Sequence, residues 1–353
     1  MGMPSVNVSF TEKAVQAITR GERGIVALIL KDTEPVQNPF TVLSITDIPD
    51  TLSTSNKKQI ELSLIGYQNA PKKVICYVLA TDATDYTEAL AYLEIERFDY
   101  LAIPTVASDG KTASVASWIK SMRSNGKKCK AVLPNTAADS EGIINFTTSN
   151  IITEDAEYTT EQYCSRIAGL VAGTPLTIAC TYAPLPEVTD CERLTKAEMD
   201  TAVDAGKFFV FYDGEKVKVA RGVNSFLTTT AEKGNQFKKI KIVEAMDMIY
   251  DDIVKTAEDS YLGKFSNSYD NKCLLISAIG GYFEQLILDG ILSAATVEID
   301  VSTQRAYLKS QGVTTDDMTD NEIRVYDTDD KVFLKASITI LDAIEEIYLP
   351  INI

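Results

Sequence analysis

The sequence predicts an α/β domain followed by an α+β domain, two bodies in one chain. Three observations lead there. Between Gly24 and Lys207, short apolar runs alternate with segments of helical period. From Lys207 to Asp300 the texture changes to a hairpin, two helices and a return strand, read as one compact core. A chain of 353 residues is also long for a single core, while 45% hydrophobic residues is ordinary for a globular protein.

The elements follow in order. Val6, Val8 and Phe10 alternate with Ser5, Asn7 and Ser9, which is the pattern of a half-exposed terminal strand. IVALIL, from Ile25 to Leu30, is a continuous apolar run that suits a strand buried on both faces. SNKKQIELSLIGYQN reads as a helix capped near Ser53 to Ser55, and KKVICYVLA as a second buried strand. DYTEALAYLEIERF reads as a helix with Leu90, Leu93 and Phe98 inward. DYLAIP is a strand, SVASWIKSMRSNG a helix ended by Gly126, and KCKAVLP another strand. INFTTSNIIT, EQYCSRIAGLVAG and TPLTIACTY continue the alternation, and CERLTKAEMDTAVDAG is the last helix. Repetition of this kind implies a mostly parallel sheet with helices on its faces.

In KFFVFYDGEKVKVARGV, Asp213-Gly214 is read as the centre of a type I′ turn. Val243, Met246, Tyr250, Ile253 and Ala257 recur at spacings of three and four, predicting one helical stripe. DNKCLLISAIGGYFEQLILDGIL predicts a second helix, capped by Asp270 or Asn271 and ended at Gly290. TVEIDV is a strand and TQRAYLKSQG a short helix. Glu322 onward is read as strand, turn, strand, strand. Ile347, Leu349, Ile351 and Ile353 alternate with polar residues and Pro350, which marks an edge strand or an arm.

RGVNSFLTTT, the long helical segment after it, and VEIDVSTQRAYL together resemble the C-terminal half of contractile phage-tail sheath proteins. The resemblance is to the short sheath subunits of phage-like elements in Gram-positive bacteria, and it extends over nearly the whole chain. It implies an N-terminal strand arm over 1–23, an outer α/β domain over 24–206, a sheath assembly domain over 207–343 and a C-terminal strand arm over 344–353. It further implies a subunit that polymerises helically on an inner tail tube, meets baseplate and tail terminator proteins, and contracts to drive the tube through a bacterial envelope. The place implied is a virion tail or phage-like particle, assembled in the host cytoplasm.

In sheath proteins the two extensions reach into adjacent subunits. The inter-subunit arm residues are then Val6, Val8, Phe10, Ile347, Leu349, Ile351 and Ile353. The receiving sheet would include Phe209, Phe211, Val217 and Val219, with the strands from Glu322 onward. Lys233, Lys238, Lys239 and Lys241 form a basic cluster in an acidic chain, either a solvated face or a surface for the tube or a neighbour.

Composition narrows the alternatives. Acidic residues number 50 against 34 basic, a net charge of −16, which repels nucleic acid. No run approaches the ~20 apolar residues that cross a bilayer, and the first residues carry no secretion signal pattern. There is no His, so neither a His base nor a Ser-His or Cys-His nucleophile is available. Six cysteines without a C-x-x-C pair read as reduced, buried thiols rather than zinc ligands. TTTAEKGNQFKK lacks the order of a phosphate-binding loop, and GERG reads as a turn. Asp316, Asp317, Asp320 and Glu322 lack the spacing and glycine of a calcium loop. No enzyme, cofactor or metal is therefore expected. The competing reading is a small α/β ligand-binding enzyme with a flavodoxin-like domain. Its loops would carry Asp82, Asp85, Ser108 and Asp109, all equally good helix caps.

Overall fold

A computed structural model describes residues 17–33 and 38–352. The expected N-terminal strand of Val6, Val8 and Phe10, and Ile353 at the other end, lie outside the described residues. The chain forms two compact units, one of 21–248 with the C-terminal residues from 342, the other of 249–341 with the N-terminal residues to 20.

The first unit is built on a seven-stranded sheet. Its strands are β1 (Ile25–Asp32), β2 (Phe40–Val42), β3 (Lys73–Ala80), β4 (Tyr100–Ala102), β5 (Lys130–Pro134), β6 (Ile143–Phe146) and, further along the chain, β10 (Lys207–Phe208). The order is β10-β6-β5-β4-β1-β3-β2, parallel throughout except for β2 on β3. The run β3-β1-β4-β5-β6 is the doubly wound order of flavodoxin-like sheets.

Helices cover both faces. Ile25, Ala27 and Ile29 of β1 join the core under α2 (Thr87–Ile95) and α3 (Thr112–Ser124). Val26, Leu28 and Leu30 join the opposite core under α1 (Thr54–Leu64) and α4 (Thr160–Ala172). One unbroken apolar strand therefore supplies two cores. Ser53 caps α1, and Leu93 and Phe98 are buried, as the sequence implies.

The contact of α4 with α1 depends on Gly169, because an added Cβ would meet the Ser63 carbonyl oxygen at 1.9 Å. Backbone cannot swing aside as a side chain can. Gly169→Ala is expected to cost about 1–3 kcal/mol, as overpacking does, despite alanine's better helix propensity. Thermal melting of the variant checks this.

TPLTIACTY forms turns, not the expected strand. Pro175 starts a turn closed by the Ile178 N–H, and β10 already occupies the sheet edge beside β6. Three short strands, β7 (Ile151–Thr153), β8 (Glu157–Tyr158) and β9 (Val188–Asp190), make a separate small sheet. The last helix of the alternating region is α5 (Lys196–Asp204), started by a Thr195–Glu198 capping box.

The hairpin is β11 (Val210–Tyr212) with β12 (Val217–Val219). In its turn only Gly214 has a positive φ, of 109°. The Asp213 N–H donates to the Lys216 carbonyl at 3.0 Å, so the central residues are Gly214 and Glu215, not Asp213 and Gly214 as expected. Positive φ at the first of them alone fits type II′ rather than I′. The helix expected next is α6 (Ile240–Thr256). Its buried positions include Ile242, Ala245, Ile249, Asp252 and Thr256, while Tyr250 is 39% exposed. Of the expected stripe Val243 is buried, Met246, Ile253 and Ala257 are half-buried and Tyr250 is exposed. The most buried line runs one residue earlier, because buried charges as well as apolar residues point inward.

The second unit contains α7 (Tyr269–Leu288), β13 (Leu292–Ile299), α8 (Val301–Ser310), α9 (Asp320–Val325) and β14 (Leu334–Ile340). The single core expected over Lys207 to Asp300 is thus divided between the two units. Ser268, not Asp270 or Asn271, caps α7. Gly290 follows that helix with φ of 71°, as a left-handed terminator should. Glu322 lies in α9 rather than a strand, since Thr319 and Glu322 form a capping box. The acidic loop is spent on such local bonds: Asp316 pairs with Lys309 at 2.6 Å and Asp320 with Arg305 at 2.9 Å.

Five of the six cysteines are buried and all six are unpaired. Burial pushes the Cys129 and Cys191 thiols up to about 11 and Cys180 to about 12, which suppresses the reactive thiolate. No group of metal-ligating side chains is found among the described residues. No helix of those residues is long and apolar enough to cross a membrane.

Candidate functional site

Two features of the fold are incomplete on their own terms. The first is the sheet β13–β14. Among the described residues it has two strands, antiparallel, with Ile299 opposite Leu334 and Ala295 opposite Ile338. The Asp300 N–H donates to the Phe333 carbonyl at 2.9 Å, so Asp300–Phe333 is a hydrogen-bonded pair. Alternation then makes Ile299–Leu334, Val297–Ala336 and Ala295–Ile338 the non-bonded pairs. Their N–H and C=O groups point to the two outer edges, where no other strand lies among the described residues. A lone two-stranded ribbon is marginal in water, and an open edge is a template for another strand.

The second feature is the C-terminal segment. Residues 341–352 form no strand. Ile347 is 83% exposed, and Leu349 and Ile351 are 75% exposed. Three aliphatic side chains on alternate residues are thus held in solvent, a strand pattern without a sheet.

The root of this segment is fixed. The Glu345 carboxylate accepts from Thr181 Oγ1 at 2.6 Å and from Arg221 Nε at 2.9 Å, with Lys239 Nζ 3.6 Å away. Lys239 also pairs with Asp342. The neighbouring groove, of about 970 Å³, is lined by Phe209, Phe211, Tyr182 and the start of the arm.

Of the expected receiving sheet, the strands from Glu322 onward include β14 of the ribbon, whereas Phe209, Phe211, Val217 and Val219 belong to the other unit. Phe209, Val217 and Val219 are buried in their own unit's core, and Phe211 is half-buried. Both edges of β12 are taken, one by β11 and the other by Ala183 and Leu185. Of the basic cluster, Lys233 pairs with Glu141 at 2.8 Å and Lys239 with the arm root. Lys241 is buried and Lys238 half-buried. The acidic groups met by Lys233 and Lys239 belong to this chain.

Sequence reading missed a buried ionic network in the first unit. Asp247 of α6 receives a fork from Arg123, at 2.9 and 3.0 Å, and bonds Lys130 at 2.8 Å. Glu244, one turn earlier, bonds Lys130 at 2.8 Å and also meets Arg23 and the Tyr100 hydroxyl. Burial pushes the Asp247 carboxyl up, but the Lys130 and Arg123 cations outweigh it and hold it below the usual range. The only signal in the sequence was acidic residues falling on the inward stripe of α6.

At the switch point of the parallel sheet, where doubly wound enzymes bind ligands, the side chains bond one another. Asp109 accepts from Thr105 at 2.8 Å, pairs with Lys31 at 2.8 Å and also receives the Tyr86 hydroxyl. Asp32 is raised by burial, but bonds from Ser53 and Asn56 outweigh this and hold it at about 2. Asp85 bonds the Thr87 N–H at the start of α2, and Ser108 bonds Glu161.

The family model for the phage tail sheath protein central domain matches residues 80–225, and that for the phage tail sheath C-terminal domain matches 232–353. The tail sheath protein of Clostridium phage phiCD119 is 38% identical over 358 residues, covering 99% of each chain. The XkdK protein of the phage-like element PBSX of Bacillus subtilis is 34% identical over 49% of this chain and 38% of its own length. The crystal structure of a sheath tail protein from Desulfitobacterium hafniense is similar with a TM-score of 0.70 at 21% identity, over 84% of this chain and 94% of that one. The helical sheath of the anti-feeding prophage in its contracted state is similar with a TM-score of 0.72 at 15% identity, over 100% and 99%.

Proposed function

Since the chain belongs to the phage tail sheath family, we propose that its C-terminal arm adds a strand to the β13–β14 ribbon of another copy. Residues Ile347 to Ile351 supply the strand, and the outer edges of β13 and β14 supply the acceptors. The N-terminal residues Val6, Val8 and Phe10 are the second donor, one arm for each edge. The observation that carries this is the pairing of needs: exposed aliphatics in strand alternation, and a ribbon short of strands. Phe209, Phe211, Val217 and Val219 then serve the core beneath the arm root rather than the acceptor sheet.

An arm donated to a second copy is a heterologous contact, and repeated without closure it generates a helix. The helix surrounds a tail tube, in a virion or phage-like particle assembled in the host cytoplasm, with baseplate and terminator proteins at its ends. Contraction is a rigid-body exchange between two lattices in which arm pairing persists while other contacts change.

Proline at an outward N–H tests the acceptor edges one at a time. Val297→Pro blocks β13 and Ala336→Pro blocks β14, and proline is tolerated on an edge strand. Each variant is expected to stay folded, by circular dichroism, and to fail to form tubes in electron micrographs. Normal tubes from both variants would reject the ribbon as acceptor.

A further inference from the structure

We propose that Glu345, held by Arg221, Lys239 and Thr181, is a clamp that fixes where the C-terminal arm leaves its own subunit. It is a positioning device, and it rests on the arm reading above. The carboxylate is 9% exposed, whereas Ile347, two residues on, is 83% exposed. The transition from anchored to free chain is therefore abrupt and falls at this residue.

The clamp is assembled by the backbone. Val223 and Lys239 form an antiparallel bridge, with the Ile240 N–H donating to the Gly222 carbonyl at 3.0 Å. That bridge sets Arg221 and Lys239 side by side although 18 positions separate them in the sequence. The Gly222 N–H donates to Thr181 Oγ1 at 3.0 Å, which orients the hydroxyl toward Glu345. A Cβ at Gly222 would lie 2.9 Å from Cys180 Sγ, so a larger residue there would have to displace that buried thiol. Arg221 also reaches Glu346 at 3.5 Å, and Lys239 reaches Asp342. Two cations thus gather three carboxylates of one short segment. Repulsion among those carboxylates would otherwise splay the segment.

A free tether samples a large volume, so its effective concentration at a neighbour's edge is low. A tether pinned at its root samples less and is presented better. The clamp thereby converts a floppy tail into a directed strand without contacting the acceptor.

The test uses full-length protein. Glu345→Arg is expected to lower the NMR order parameters of 342–346 in the monomer and to raise the critical concentration for tube assembly about tenfold. The swap Arg221→Glu with Glu345→Arg is expected to restore both. Glu345→Gln, which keeps the shape and loses the charge, gives an intermediate effect and guards against a misfolded variant. Deleting 347–353 in parallel separates the two ideas. If deletion abolishes tubes while Glu345→Arg and Glu345→Gln assemble at the normal concentration, the clamp is wrong and the arm stands. If the deletion still yields tubes, both are wrong.

Discussion

Asp247→Ala is expected to destabilise the unit built on the parallel sheet by about 3–5 kcal/mol, the usual cost of removing one partner from a buried ion pair. The change leaves Arg123 and Lys130 facing each other across the vacated site, and both are buried. Lys130 keeps Glu244 at 2.8 Å, but Arg123 loses its bidentate partner. Asp247→Asn should cost less, because the amide still accepts one hydrogen bond. Urea unfolding followed by fluorescence of Trp118, the single tryptophan, reads this unit directly. The same carboxylate makes stability depend on acid. Its folded pKa is depressed, so its contribution is present above the ordinary carboxylate value and is lost as pH falls below about 4. The wild type should weaken through that window, and Asp247→Ala should weaken less steeply.

Deleting residues 347–353 has the opposite profile: no loss of stability and a complete loss of assembly. Ile347, Tyr348, Leu349 and Ile351 are each at least 75% exposed, so their removal opens no cavity. The assembled state loses the burial of three or more aliphatic side chains, about 1.5–3 kcal/mol each. Ordering the arm costs about 1–2 kcal/mol per residue, so the net gain per arm is small. Ladder hydrogen bonds add about 0.5–1.5 kcal/mol each. One arm binds weakly, and a lattice of them binds firmly through multivalency. Removing every arm therefore acts on the whole polymer. Sedimentation of the truncated protein should find monomers at concentrations where the full chain pellets as tubes.

The parts of the fold legible in the sequence were those with a local cause. IVALIL and KKVICYVLA read as strands because parallel strands are apolar on both faces. Gly290 announced the end of α7 because only a left-handed residue closes a helix in that way. The failures each had a non-local cause. TPLTIACTY is as apolar as a strand, but β10, from further along the chain, takes the edge. Glu322 to Tyr326 looks β-like, yet its capping box with Thr319 selects a helix. The frame of α6 shifted because Asp247 and Asp252, polar in any hydrophobicity count, face inward to partners.

The candidate site divides in the same way. Ile347, Leu349 and Ile351 were visible as an alternating arm. Of the ribbon they are assigned to, the strands from Glu322 onward were already placed in the receiving sheet. The pairing of β14 with β13 was not visible, because the two are joined only after α8, α9 and a long connection. Asp342, Glu345 and Glu346 likewise gave no sign of their cations, which lie more than a hundred residues earlier.

The most direct measurement is a cryo-electron microscopy map of tubes assembled from the full chain, at a resolution that traces strands. The ribbon of Leu292–Ile299 and Leu334–Ile340 is expected to gain strands at its outer edges, one of them Ile347 to Ile351 of another copy. A map in which each ribbon keeps two strands, with every arm folded onto its own subunit, would contradict this.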